Sequence, residues 1–296
     1  MNILVIGCGR TGRSIVEGLL DIKYVDSVFL YSRTSKSAKA LAYDLGNKKV
    51  FVSENMNNLR NIDYVVIALS GMSDNARLES IQKRASTYHI RQDELKFNIG
   101  AISELIKHLK KLPSASKIIV ITNPVDEITN YLRMTLNNNN VLGFGLELDA
   151  KRYSKLLGKN VLCIGTHGKA VPILNLNSDQ EYSKLSSRID TELMGYIREH
   201  GIPNKAAGIS FKEFFERLTG NKKDIVLVSN YISKPFYGLK GISISLPFEC
   251  QEGKIIGIAD FKPNHIELNR FKKSVLELQN SVKHILETHK KLISYK

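Results

Sequence analysis

The chain has 296 residues, which suffices for one large domain or for two smaller domains that share a cleft. Hydrophobic residues make up 43% of it, which argues against a disordered chain, and no apolar run approaches the ~20 residues that span a bilayer. The net charge of +14 is distributed over the whole sequence, so we expect a basic surface that attracts small anions rather than a nucleic-acid-binding site.

Short β-rich runs alternate with helical segments in the first half of the chain. The first run, residues 3–7, is too short for the core of a signal peptide and leads at once into a glycine-rich turn, so we expect a cytoplasmic protein. In chain order the sequence predicts a strand at 3–7, a helix at 12–22, a strand at 26–32, a helix at 35–45, strands at 49–52 and 63–69, a helix at 92–109 and a strand at 117–122. This alternation is typical of an α/β protein with a doubly wound parallel sheet, whose ligand lies at the carboxyl ends of the strands.

The pattern changes near residue 145, where a second, α+β part of the chain begins. In order it predicts a helix from about Asp149, strands at 161–165 and 170–174, helices at 180–200 and 205–218, and antiparallel-type strands at 224–228, 242–246 and 254–258. A long C-terminal helix follows, with apolar residues repeated at spacings of three and four from Leu268 to Ile285. We therefore divide the chain into two domains, residues 1–144 and residues 145–296.

A G-x-G-x-x-G turn, formed by Gly7, Gly9 and Gly12, joins the first predicted strand to the first helix. The first glycine permits a tight turn, the second lets the backbone approach a pyrophosphate, and the third lets the helix pack on the strand. Arg10 and Thr11 lie at the helix N-terminus, which faces the phosphates. The motif predicts a dinucleotide-binding Rossmann domain; the alternative is a glycine-rich turn without a ligand.

The end of the second predicted strand bears on the choice of cofactor. Ser32 lies there, where a carboxylate would accept the ribose hydroxyls of NAD and repel a 2′-phosphate. Serine removes that repulsion, and the planar guanidinium of Arg33 is suited to two phosphate oxygens. We therefore expect a preference for NADP(H), with NAD(H) as the alternative if this stretch is an ordinary solvated loop.

The cysteines do not indicate a metal or redox site. Cys8, Cys163 and Cys250 are scattered and odd in number. No pair has metal-ligand or redox spacing, so we expect buried, reduced thiols and no metal.

Four polar motifs occur in a fixed order: GCGRTG at residues 7–12, ITNPVD at 121–126, LDAKR at 148–152 and GTHG at 165–168. In this order they resemble the lactate/malate dehydrogenase family of L-2-hydroxy acid dehydrogenases, and the resemblance extends over nearly the whole chain. The stretch RQDELKFNIGAI, at 91–102, is similar to the helix that follows the mobile active-site loop of that family. Its ELKF is particularly similar to the 2-hydroxyisocaproate dehydrogenase branch.

The resemblance implies a role for each polar residue. His167 would be the general acid that protonates the carbonyl oxygen, and Asp149 would hold its imidazole. Arg152 would bind the substrate carboxylate, Arg91 would polarise the carbonyl, and Asn123 would position substrate and cofactor. The implied protein is an oxidoreductase with a Rossmann domain and an α+β substrate domain. It would act on a 2-oxo acid/L-2-hydroxy acid pair as a homodimer or homotetramer.

The segment between Gly71 and Arg91 departs from the family pattern because it is long and polar. Ala85 stands where malate-type members have an arginine, with Arg84 beside it, so this segment does not indicate which substrate is bound. We expect a long loop that acts as a lid over the site.

Further departures lie close to the predicted catalytic histidine. Only 18 residues separate Asp149 from His167, fewer than is usual in the family, so their contact is an inference. Lys169 stands where the family usually has an acid, and a cation there would lower the pKa of His167 by repulsion between like charges. Near Pro203 the threonine expected to line the pocket is missing.

Three alternatives remain open at this point. The chain could be an NAD-dependent enzyme of the same family, in which Ser32 and Arg33 are incidental. It could be a nucleotide-binding homologue with impaired catalysis, because the Asp149–His167 segment is short. A basic nucleotide- or RNA-binding module is the third alternative, although no recognition surface is evident. We expect a small-molecule substrate and neither nucleic acid nor membrane as a partner.

Overall fold

The structure is a computed structural model in which residues 1–84 and 86–294 are described, with side chains described up to residue 288. Ala85, the position at which malate-type relatives would have an arginine, therefore lies outside the described residues.

The first half of the chain forms the predicted doubly wound parallel sheet. Its elements are β1 (Asn2–Ile6), α1 (Arg10–Leu20), β2 (Ser27–Tyr31), α2 (Ser35–Leu45), β3 (Val50–Val52), a 3₁₀ turn (Met56–Asn58), β4 (Tyr64–Ile67), α3 (Asp74–Lys83), α4 (Thr87–Leu109), β5 (Lys117–Val120), α5 (Val125–Leu136) and β6 (Val141–Phe144). The strands lie in the order β3-β2-β1-β4-β5-β6, and all neighbours in this part are parallel. The predicted α/β class with a Rossmann sheet is thereby confirmed.

The apolar strands are buried on both faces, as is typical of a parallel sheet. Along β1, Ile3 and Val5 belong to a core that α1, α2 and later helices cover. Leu4 and Ile6 belong to a second core, on the α4 and α5 side. This alternation leaves polar groups only at the strand ends, where the carboxyl-terminal loops form a crevice.

The second half of the chain extends the same sheet. Its elements are α6 (Leu146–Leu157), β7 (Cys163–Thr166), β8 (Lys169–Pro172), α7 (Asp179–His200), α8 (Asn204–Thr219), β9 (Asp224–Tyr231), β10 (Ser243–Gln251), β11 (Lys254–Ile258) and α9 (His265–Ser294). Strand β9 pairs antiparallel with β6, through Gly143 with Ser229 and Phe144 with Val228. The order then continues β9-β10-β7-β8, with β11 beside β10, so the described strands form one continuous sheet.

The prediction of a long loop between Gly71 and Arg91 is wrong for most of this segment, because α3 and the start of α4 occupy it. Ser73 caps α3 by accepting a hydrogen bond from Ala76 N at 3.2 Å, and Ser86 caps α4. Few apolar residues mark these helices, so their periodicity is weak; capping and contacts with α7 stabilise them instead. We call residues 72–84 and 86–92 the lid segment.

The C-terminal helix buries the face that its sequence predicts. Phe271, Val275, Leu278, Val282 and Ile285 are all at most 7% exposed. In the described part of the chain, no helix has the length and apolar character needed to cross a membrane. Two of the three thiols are buried and the third is partly buried, and none forms a disulfide.

Asn130 of α5 connects the two halves of the sheet. Its Nδ2 donates to the backbone oxygen of Ser243 at 2.7 Å, and its Oδ1 accepts from the backbone N–H of Ser243 at 2.8 Å. The side chain is 1% exposed, so the backbone oxygen and N–H of Ser243 in β10 depend on it for a partner.

We expect Asn130→Ala to lower the free energy of unfolding by about 2–6 kcal/mol, because two buried backbone groups lose their partner at ~1–3 kcal/mol each. Urea unfolding followed by circular dichroism measures this change. Asn139→Ala is the matched control: Asn139 is exposed just beyond the same helix, and its loss should change stability by less than ~0.5 kcal/mol. Equal stability of the two variants would contradict the role of Asn130.

Candidate active site

A cavity of about 850 Å³ lies at the carboxyl ends of β1, β2, β4 and β5 and reaches the β7–β8 turn. Most of the predicted site residues line it: Gly7, Gly9, Arg10, Thr11, Ser32, Arg33, Arg91, Asn123, Arg152 and His167. The remaining two, Gly12 and Asp149, lie behind this wall, Gly12 in α1 and Asp149 in hydrogen-bond contact with His167.

The glycine turn at one end of the cavity has the backbone geometry that the motif predicts. Gly7 has φ +107°, and a Cβ there would lie 2.6 Å from Ala68 O. A Cβ at Gly12 would lie 1.8 Å from Gly7 O, so α1 approaches the end of β1 this closely only because residue 12 is glycine. Gly9 is the N-cap of α1, has no side chain to satisfy the first helical N–H groups, and leaves open space. These N–H groups can bind an anion such as a pyrophosphate.

At the end of β2, Ser32 and Arg33 differ in what they can offer a ligand. Ser32 Oγ donates to Thr34 O at 2.6 Å and accepts from Ala38 N at 3.1 Å, so it stabilises the turn into α2. Its single proton is therefore already used. Arg33 is exposed and has no hydrogen-bond or ion-pair partner within the described residues. A phosphate here would bind Arg33 rather than receive a hydrogen bond from Ser32.

At the other end of the cavity, His167 and Asp149 form a buried pair. Nδ1 of His167 lies 2.7 Å from Oδ2 of Asp149, which also accepts the backbone N–H of Gly168 at 3.0 Å. Oδ1 of Asp149 accepts from Nη1 of Arg152 at 2.9 Å. The spacing of 18 positions between Asp149 and His167 is thus sufficient for their contact, because α6 and β7 are joined by a short connection.

The backbone of the histidine is held as well as its ring. The N–H of His167 donates to Oδ2 of Asp126 at 2.8 Å, and Oδ1 of Asp126 accepts from Ser245 Oγ at 2.8 Å. Asp126 belongs to α5 in the first half of the chain and Ser245 to β10 in the second. The imidazole is therefore positioned from both halves.

Burial lowers the pKa of His167 from its ordinary value of 6.5. The charge and hydrogen bond of Asp149 oppose this shift, whereas the charge of Arg91 adds to it. Burial also disfavours the Asp149 anion, but the nearby imidazole and guanidinium groups outweigh it and hold the pKa of that carboxyl well below its usual range.

The pKa of His167 is lowered as predicted, and the cations that contribute most are Arg91 and Arg152, whereas Lys169 has partners of its own. Its Nζ lies 2.7 Å from Oε2 of Glu277 and 3.6 Å from the centre of the Tyr88 ring. An ammonium compensated in this way exerts little repulsion on a neighbouring imidazole.

Arg91 reaches the site from the first turns of α4. Its side chain is buried, and its Nη1 donates to Thr87 Oγ1 at 3.0 Å. The guanidinium packs directly on Gly168, where a Cβ would lie 2.2 Å from Nη1. Gly168 also has φ +90°, so both the turn after His167 and the approach of Arg91 require glycine.

Asn123 is oriented by two residues of α4. Asn98 Nδ2 donates to the backbone oxygen of Asn123 at 2.7 Å. Burial raises the pKa of Glu94, which lies 3.3 Å from Arg77 Nε and accepts a hydrogen bond from the Asn123 side chain. Oδ1 of Asn123 is buried and has no partner in the described part of the chain, so it can accept a hydrogen bond from a ligand.

Sequence reasoning missed Glu94 and an apolar wall of the cavity. Glu94 follows Arg91 by three residues, and that spacing on a helix could have indicated a shared face. The wall consists of Ile81 and Ile90 of the lid segment with Leu193, Ile197 and Ile202 from α7 and beyond. No local signal marks it, because these residues come from distant parts of the chain. In the described residues, no cluster of three or more His, Cys, Asp or Glu could hold a metal ion.

Comparison with known proteins supports a common origin with two groups of dehydrogenases. The malate dehydrogenase of Thermoplasma acidophilum is 25% identical over 97% of this chain and 97% of its own length. L-lactate dehydrogenase 2 of Clostridium acetobutylicum is 22% identical over 95% of this chain and 96% of its own. Neither match distinguishes the 2-hydroxyisocaproate branch, which stays a prediction.

Solved structures show the same fold. The malate dehydrogenase from Archaeoglobus fulgidus in complex with NADH superimposes with a TM-score of 0.77 at 19% identity, over 96% of this chain and 99% of that one. The enzyme from Plasmodium falciparum gives 0.79 at 17% identity, over 97% and 99%. Residues 1–143 match the family model described as lactate/malate dehydrogenase, NAD binding domain. With the fold, the motif order and these matches in agreement, the first half of the chain is an NAD-binding domain of the lactate/malate dehydrogenase family, and the whole chain is similar to oxidoreductases of that family.

Proposed function

We propose that this protein interconverts a 2-oxo acid and an L-2-hydroxy acid with a nicotinamide cofactor. The observation that carries the proposal is the buried His167–Asp149 pair with Arg91 and Arg152 beside it, at one end of a cavity whose other end is the glycine turn. The names of two relatives, malate dehydrogenase and L-lactate dehydrogenase 2, indicate substrates of this class.

The glycine turn fits a dinucleotide, because its backbone is open at Gly9 and the first N–H groups of α1 have no side-chain cap. A bound nicotinamide cofactor would supply the hydride for reduction or accept it in oxidation. The unpartnered Oδ1 of Asn123 would accept a hydrogen bond from the cofactor or the substrate.

The proton is assigned to His167. Because Nδ1 is engaged by Asp149, Nε2 is the nitrogen that can donate to a substrate carbonyl oxygen. Arg152 uses one N–H for Asp149 and retains others for a substrate carboxylate. Arg91 would stabilise negative charge that develops on the carbonyl oxygen.

The substrate is best described as a monocarboxylic 2-oxo acid with an apolar side chain. Ile81, Ile90 and Ile197 provide an apolar wall on the lid side of the cavity. Arg77, another cation that lines the cavity, is engaged by Glu94 at 3.3 Å and by Ser70 Oγ at 2.7 Å. The charge of Arg77 is therefore already compensated by Glu94, which makes it a weaker partner for a second substrate carboxylate than an unpaired arginine would be.

The cofactor proposal is a preference for NADP(H), supported by the unpaired Arg33 and by the missing carboxylate at Ser32. NAD(H) is the alternative, favoured by the description of the family model and by the NADH complex of the Archaeoglobus fulgidus enzyme. We also propose a division into residues 1–144 and 145–296, supported by the change from parallel to antiparallel pairing at β6. A homodimer or homotetramer remains a prediction from the resemblance, and a cytoplasmic location remains a prediction from the sequence.

The first test follows NADPH or NADH oxidation at 340 nm with small, branched, aromatic and dicarboxylic 2-oxo acids. We expect branched aliphatic acids to react faster than oxaloacetate, because the described wall is apolar. His167→Ala should lower the rate by ~10²–10⁴-fold while cofactor binding is retained. Cofactor binding without turnover of any acid would favour the catalytically impaired homologue.

Arg33→Ala should weaken NADPH binding by about tenfold or more, because a charge-assisted hydrogen bond to a phosphate contributes ~1.5–3 kcal/mol. NADH binding should change little, and this difference is the internal control. Calorimetric titration of both nucleotides into both proteins measures it. An equal loss for the two cofactors would contradict the phosphate-binding role of Arg33.

The rate of reduction should depend on pH through His167. Reduction needs the protonated imidazole, so kcat/KM should fall as pH rises through a histidine pKa that burial places below 6.5. Oxidation needs the neutral form and should rise over the same range. Asp149→Asn removes the charge that supports protonation, so its reduction profile should shift to lower pH. A shift to higher pH would contradict this assignment.

A further inference from the structure

Lys169 directly follows the His167–Gly168 pair, yet the proposed chemistry does not use it. Its ammonium lies over the ring of Tyr88, 3.6 Å from the ring centre, and forms an ion pair with Glu277 at 2.7 Å. The contact joins β8, which continues the turn carrying His167, to the first turn of α4.

Tyr88 and Arg91 are three residues apart on α4 and therefore lie on neighbouring positions of one helical face. Burial raises the pKa of Tyr88 to about 12, with added contributions from the carboxylates of Glu127 and Glu277. The phenol is thus neutral, and its ring face can attract a cation.

The position of Arg91 depends on whatever holds the first turns of α4. Its hydrogen bond goes to Thr87 in the same helix, and its guanidinium otherwise packs on Gly168. Thr87 is in turn held by Asp190 of α7, whose Oδ1 accepts hydrogen bonds from the Thr87 hydroxyl at 2.8 Å and from its backbone N–H at 3.1 Å. Lys169 provides a second contact from the hairpin that carries His167, made to Tyr88 of the helix rather than to the Arg91 guanidinium.

We propose that Lys169, held by Glu277, is a positioning residue: its ammonium holds the ring of Tyr88 and so fixes Arg91 beside His167. We call this contact between Lys169 and Tyr88 the latch. The inference rests on the proposed function, because it assigns Arg91 a part in catalysis. This role accounts for the lysine at position 169, where the family resemblance predicts an acidic residue. A carboxylate at this place would repel the electron-rich ring face rather than hold it.

The contact should be modest in strength, since the Lys169 side chain is 38% exposed. A cation over an aromatic ring at such a site changes an equilibrium by roughly two- to fivefold. A similar factor is expected for opening of the first turn of α4.

The test compares variants that remove the contact with variants that keep it. Lys169→Met keeps most of the apolar stem but loses the charge, and Tyr88→Leu loses the ring. Lys169→Arg and Tyr88→Phe preserve a cation over a ring. Lys273→Met is the matched control, because Lys273 is exposed on α9 without a described ion pair or hydrogen bond.

Hydrogen–deuterium exchange of the ligand-free protein gives the first readout, in peptides that cover residues 86–95. We expect two- to fivefold faster exchange in Lys169→Met and Tyr88→Leu, and wild-type exchange in the other three variants. The double variant should exchange no faster than either single one, because both remove one contact. Equal acceleration by Lys169→Arg, or additive effects in the double variant, would overturn the latch.

Steady-state kinetics gives the second readout. In Lys169→Met, kcat for 2-oxo acid reduction should fall by a similar factor, Lys169→Arg should restore it, and KM for the cofactor should not change. A wild-type protein without turnover would refute the proposed function, while the exchange data would still decide whether the contact holds α4. Normal turnover with unaltered exchange in Lys169→Met would refute the latch alone.

Discussion

The buried carboxylate of Asp149 is the constraint on which the geometry of the site depends. A charge removed from water is tolerated only when it is paired and hydrogen-bonded. Its oxygens accept from Nδ1 of His167, the N–H of Gly168 and Nη1 of Arg152. This convergence fixes the orientation of the imidazole, turns Arg152 towards the same place, and leaves Nε2 as the nitrogen available for proton transfer.

The second organising element is α4, which brings three polar side chains to the cavity on one face. Arg91, Glu94 and Asn98 follow each other at spacings of three and four, so they project in one direction. Arg91 lies beside His167, while Glu94 and Asn98 hold Asn123 at the end of β5. Movement of this helix would therefore displace the guanidinium of Arg91 and the amide of Asn123 together, which couples the two ends of the cavity to the lid segment.

The two halves of the chain are interdependent because they share a sheet and support each other's polar groups. Asp126 of α5 accepts the backbone N–H of His167, and Asn130 of the same helix pairs with Ser243 of β10. The boundary that the sequence suggests near residue 145 therefore marks a change of pairing direction rather than a gap between independent cores. The cofactor end of the cavity comes from the first half, and the histidine comes from the second.

Much of the fold and of the site could be predicted from local patterns. The strand–helix alternation, the glycine turn and the C-terminal helix are set by periodicity and steric rules that act over a few residues. The lid segment could not be predicted this way, since α3 is largely polar and packs through only a few apolar residues such as Ile81. The sequence could not specify the use of Ser32 either, because its proton goes to a neighbouring backbone oxygen rather than to a ligand.

What the sequence by itself determined is therefore the parallel sheet, the order of the motifs and the identity of His167, Asp149, Arg152, Arg91 and Asn123 as the polar residues that meet. Only the tertiary structure decided that Lys169 contacts Tyr88 instead of the imidazole, that Glu94 supports Asn123, and that an apolar wall faces the site. The physical reason is distance along the chain: these contacts join residues tens of positions apart, and local periodicity contains no information about them.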